Sequence, residues 1–86
     1  MSIGFLTIID EKLIEAVNWW PSFTEKLTDT EKRLVKKIKA GALHKKLELR
    51  KSEAQILCLW WFNISPKIRD AQDTMIYDIL NKFIED

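Results

Sequence analysis

SPKIRDAQDTMIYDILNKFIED, residues 65–86, carries the pattern that decides the fold. Ile68, Ala71, Met75, Ile76, Ile79, Leu80 and Phe83 recur at three- and four-residue spacing, which predicts one buried side of an α-helix. Lys67, Arg69, Asp70, Asp73, Asp78 and Lys82 fill the opposite, solvated side. Ser65 supplies an N-cap hydroxyl, and Pro66 at the first helical position sacrifices no hydrogen bond.

Upstream, residues 51–62 (KSEAQILCLWWF) predict a helix of another kind. No charge occurs from Ala54 to Ser65, and Ile56 to Phe62 point in every direction around the axis. A helix apolar all round lies at the centre of a domain, or meets core on one side and a partner on the other. Before it, Ala42–Glu48 reads as a short helix with Leu43 and Leu47 four apart, and Leu49–Lys51 as a tight turn. Gly41 marks the end of a preceding helix, because glycine tolerates the left-handed conformation found there. That helix starts at a capping box, Thr28-Asp29-Thr30-Glu31, and buries Leu34, Val35 and Ile38. The first helix runs from an Asp10 N-cap to Trp20, buries Leu13, Ala16, Val17 and Trp20, and stops at Pro21. Trp19 falls off that stripe. Met1–Ile9 is a short extended arm whose apolar residues must be covered by the domain or by a second chain. The expected fold is therefore all-α, a compact bundle of four to five helices with a short N-terminal arm, forming one domain over residues 1–86.

Composition agrees with this expectation. Only two Gly and two Pro occur in 86 residues, too few for a turn-rich β fold, while 47% of the chain is apolar, with four Trp and four Phe. Cys58 is the one cysteine, so no intrachain disulfide can staple the domain, and the expected compartment is cytoplasmic. No positive charge precedes the apolar N-terminal run, unlike a signal peptide, and no stretch reaches the ~18 apolar residues of a membrane span.

The net charge of +1 hides an uneven distribution. Residues 1–25 sum to −3, residues 26–51 to +7 and residues 52–86 to −3. Lys32, Arg33, Lys36, Lys37 and Lys39 have no acid among them for pairing along the helix, and like charges at that spacing repel. Lys45, Lys46, Arg50 and Lys51 extend the block. An anionic surface, or the acidic ends of the chain packed nearby, would relieve it.

Catalytic chemistry lacks its parts. Cys58 is set in the most apolar segment, where burial blunts a thiol as nucleophile, and His44 stands beside Lys45 and Lys46 as a surface residue. One His and one Cys cannot close a zinc site, and no glycine-rich phosphate loop occurs. The residues argue against an enzyme and imply no cofactor, no metal, no membrane and no small-molecule substrate.

Two constellations point outward. Residues 42–61 have the apolar spacing of a helix-turn-helix inside a basic block, but its second helix would present Gln55, Leu59, Trp60 and Phe62, poor readers of base edges. The second is aromatic. Neighbouring tryptophans on a helix point about 100° apart, so Trp19-Trp20 and Trp60-Trp61 cannot all enter one small core. Trp20 and Trp61 are assigned to the core, and Trp19 and Trp60 to an interface. The expected function is a small non-catalytic protein-binding or regulatory module. Its contacts are Trp19, Trp60 and the basic residues Lys32, Arg33, Lys36, Lys37, Lys39, Lys45, Lys46, Arg50 and Lys51. Its partner is an acidic protein surface or a second copy of itself. The alternative is a helical nucleic-acid-binding protein using the same block.

Overall fold

Asp10 opens α1 (Glu11–Trp19) with its carboxylate accepting the Lys12 amide at 2.9 Å. Leu13, Ile14 and Val17 face inward, and a 3-10 turn over Trp20–Phe23 follows at Pro21. The expected capping box opens α2 (Asp29–His44): the Thr28 hydroxyl accepts the Glu31 amide at 3.2 Å, and the Glu31 carboxylate accepts the Thr28 amide at 2.9 Å. A strand, Leu47–Leu49 (β2), leads into α3 (Lys51–Asn63), and α4 spans Ala71–Glu85. The computed structural model describes residues 4–64 and 70–85; the expected Ser65-Pro66 helix start, with Lys67, Ile68 and Arg69, lies outside them.

The protein is mainly helical but not purely so. Leu6–Ile8 (β1) pairs antiparallel with β2 in the register Leu6 to Leu49, Thr7 to Glu48 and Ile8 to Leu47. Of the expected arm, Ile8 is buried and Leu6 half-buried by its own domain, Phe5 and Ile9 are exposed, and residues 1–3 lie outside the described ones. This pairing corrects the helix expected over 42–48, and with it the helix-turn-helix over 42–61. Leu47 and Leu49 are buried on either side of exposed Glu48, a period of two, whereas Leu43 is 79% exposed and shares no helical stripe with Leu47.

Gly41 does not end α2. The helix continues to His44 and closes on Lys45, whose φ of 61° is left-handed, while the Lys46 amide returns to the Gly41 carbonyl at 3.0 Å. Gly41 serves a different need. A β-carbon there would lie 3.0 Å from both the Lys46 carbonyl oxygen and Leu47 Cδ1, so the chain entering β2 crosses α2 closely enough that any side chain at this position would have to push the crossing back by a few tenths of an ångström.

All elements feed one core. Val17, Ile38, Leu49, Ala54, Leu57, Ile76 and Leu80 are fully hidden within it. In α4 the buried residues are Asp73, Ile76, Leu80 and Phe83, at i, i+3, i+7 and i+10. Ala71 and Met75, expected inside, are exposed, and Asp73, expected in solvent, is 8% exposed. Asp73 goes inward because the buried Trp20 needs an acceptor: Trp20 Nε1 donates to Asp73 Oδ1 at 2.8 Å. Asp73 and Asp70 also exchange amide–carboxylate hydrogen bonds of 3.2 and 2.9 Å at the head of α4.

The close crossing at Gly41 sets the outcome of Gly41→Ala. In an open helix that change adds about 1 kcal/mol through better helix propensity. Here denaturant unfolding should show no gain, and a full gain of that size would contradict the crossing.

Candidate functional site: the outward face of α2

At about 100° per residue, Lys32, Lys36, Lys39 and Leu43 fall within roughly 60° of one another, opposite Leu34 and Ile38. Arg33 flanks them. All five are exposed, because the inward side of α2 is taken up by contacts with α1 and β2. None of Lys32, Arg33, Lys36 and Lys39 forms an ion pair among the described residues.

The rest of the basic block is used within the chain. Lys37 Nζ lies 2.8 Å from Glu53 Oε1, which also accepts the Arg50 amide at the head of α3. Lys45 pairs with Glu11 at 3.3 Å and Lys46 with Glu48 at 3.2 Å. The Arg50 guanidinium stands 5.8 Å from the Phe5 ring centroid, and the Lys51 ammonium 6.0 Å from that of Phe83, both within cation–π range. Charge relief by the acidic ends is therefore partial: Glu11 of α1 and Glu53 of α3 reach the block, and its outermost stripe is left uncompensated.

Between α2 and α3 runs a groove of ≈ 470 Å³ bordered by Arg33, Lys37, Arg50, Ser52 and Ile56. Beyond it lies the outer face of α3, where Gln55, Leu59 and Phe62 are exposed and uncharged. The all-apolar helix thus meets core on one side, through Ala54, Leu57 and Trp60, and leaves an apolar side open, with Leu59 64% and Phe62 58% exposed.

The tryptophan assignments divide. Trp20 is buried as expected, and Trp19 is 67% exposed at the end of α1, on a different face from the α2 stripe. Trp60, assigned to an interface, is 1% exposed and belongs to the core. Its indole N–H donates to Glu31 Oε2 at 2.8 Å, which joins α3 to the capping box of α2. Trp61, assigned to the core, is half-buried and stacks on Tyr77 of α4 with centroids 4.2 Å apart and planes at 18°. The spacing Ala54, Leu57, Trp60 is the signal for Trp60, masked by the apolar residues on every side. Leu43, exposed in line with the stripe, is hidden in the sequence by its four-residue spacing from Leu47, which imitates a core pair.

Cys58 is half-buried, and desolvation pushes its thiol pKa up. His44 is exposed at the end of α2. Among the described residues no three His, Cys, Asp or Glu side chains are grouped to hold a metal ion, and no helix is long and apolar enough to cross a membrane. Comparison with protein-family models, curated proteins and solved structures gives no match.

Truncation separates the two tryptophan roles. Trp60→Ala should cost about 3–5 kcal/mol in denaturant unfolding, and Trp19→Ala no more than about 0.5 kcal/mol. Equal losses would contradict this placement.

Glu31 adds a pH dependence. The Thr28 amide, the Trp60 indole and the Thr28 hydroxyl hold its carboxyl below the ordinary value of 4.5. Stability from Glu31 is complete above about pH 4.5 and is lost as pH falls through the lower folded value. Glu31→Gln should flatten the acid limb of a stability–pH curve followed by circular dichroism, whereas an unchanged curve would contradict the assignment.

Proposed function

We propose that this protein is a non-catalytic binding module that docks an acidic surface of a partner protein on the outward face of α2. The observation that supports this reading is the stripe Lys32, Arg33, Lys36 and Lys39, which points away from the core with no carboxylate partner among the described residues. Lys32 and Lys36 are four apart, and each such like-charge pair destabilises a helix by about 0.2–0.5 kcal/mol. An acidic partner removes that repulsion and is steered into register by the field of the stripe.

Leu43 favours a protein partner over a phosphate backbone. It is 79% exposed in line with the stripe, where a phosphate chain offers it nothing and an amphipathic protein surface offers an apolar contact. The groove beside Ile56, and Leu59 beyond it, extend the apolar contact onto α3. Leu59, 64% exposed on the same side of α3, suits association with a second copy.

The test is affinity capture from the native host, comparing the wild type with Lys32→Glu/Lys36→Glu/Lys39→Glu at equal helicity. The proposal expects an acidic protein that is captured by the wild type and lost by the variant. Capture unaffected by the three reversals would end it. Saturable binding of mixed-sequence DNA or RNA, falling steeply with salt, would assign the stripe to nucleic acid instead. Light scattering showing a strict monomer at high concentration would remove the second-copy contact.

A further inference from the structure

A cavity of ≈ 590 Å³ opens where the end of α1, the 3-10 turn and the head of α4 meet, away from the α2 stripe. Its walls are of two kinds. Trp19 and Phe23, four residues apart and 67% and 39% exposed, line it together with the buried Trp20. Glu15, Asp70 and Asp73 bring three carboxylates to the same lining. None of the three forms an ion pair among the described residues. Asp73 accepts the Trp20 indole N–H and the Asp70 amide, both neutral donors. Among the described lining residues Lys12 is the one cation, and these residues carry a formal excess of two negative charges.

This combination selects a class of ligand. Aromatic faces carry the negative part of a quadrupole and attract cations, most strongly where water is excluded. Carboxylates without a cationic partner add to the same field, and so disfavour an anion. A bare metal ion is a poor occupant, since no three ligating side chains among the described residues are grouped to hold one and half the wall is apolar. The volume lies within the roughly 300–1,000 Å³ of small-molecule sites.

We propose that this cavity binds an organic cation, an alkylated ammonium or a guanidinium. The charge lies toward Asp73, and the apolar part lies against Trp19, Trp20 and Phe23. Such a group comes either as a free small molecule or as a basic side chain of a peptide.

Calorimetric titration of the full chain tests this with three probes: choline, its neutral isostere 3,3-dimethylbutanol, and N-acetylarginine amide. At least one cation should bind roughly threefold or more tightly than the isostere, the factor expected of a partly exposed cation–aromatic contact. Tighter choline binding identifies a free ammonium, and tighter binding of the arginine derivative identifies a side chain. Trp19→Ala and Asp73→Asn should each weaken the cation roughly threefold or more; in the second variant the amide oxygen can still accept from Trp20. If Asp73→Asn unfolds, Glu15→Gln on the surface takes its place and should weaken binding severalfold. Lys12→Gln removes the repelling charge and should strengthen binding about two- to threefold, a direction that loss of structure would not produce. Equal affinity for choline and its isostere, absence of binding by both cations, or weaker binding by Lys12→Gln would overturn the proposal.

Discussion

A buried indole must keep its N–H paired, and two such pairings organise this protein. Trp20 and Trp60 are each 1% exposed and each donates to a carboxylate at 2.8 Å. The first bond joins the 3-10 turn to Asp73 at the head of α4. The second joins α3 to Glu31 in the first turn of α2. An unpaired N–H at either place would cost about 1–3 kcal/mol, a large fraction of the stability of a chain this short. Both acceptors also cap helices. Glu31 accepts the Thr28 amide with its other oxygen, and Asp73 accepts the Asp70 amide with its own. Helix starts and core packing are therefore set by the same two carboxylates.

This constraint sorts the surface as well as the core. Once Trp20 turns inward, Trp19, about 100° around the helix, is directed outward beside Phe23. Once Trp60 turns inward, Leu59 and Phe62 are left on the open side of α3. The charges are sorted in a similar way. Glu11, Glu48 and Glu53 each neutralise one lysine of the basic block, and the stripe from Lys32 to Lys39 projects beyond their reach. Two surfaces of opposite character result. The cationic stripe with Leu43 is the face we propose for an acidic protein, and the aromatic, acid-lined cavity is the site we propose for an organic cation.

Much of this was legible in the residues. The Asp10 cap, the Thr28–Glu31 box and the span of α3 all rest on local hydrogen bonding and spacing, which neighbouring residues report directly. What escaped depends on contacts distant in sequence. Gly41 resembles a helix stop, yet its role is set by Leu47 and Lys46 crossing above it. The period of two at Leu47 and Leu49 competes with the four-residue spacing of Leu43 and Leu47, and the tie is broken only by β1, some forty residues away. Asp73 continues the spacing of Ile76, Leu80 and Phe83, but a carboxylate on a buried stripe makes sense only once Trp20 stands opposite. Of the basic residues, sequence showed the excess but not which members find acids in the fold.

The pairing of the two core indoles is the claim from which the rest follows, and hydrogen exchange of the tryptophan indole N–H groups, read by nitrogen-15 NMR, tests it most directly. The account predicts that the signals of Trp20 and Trp60 persist long after that of Trp19, 67% exposed, has exchanged with solvent. Exchange of Trp20 or Trp60 as fast as Trp19 would contradict it.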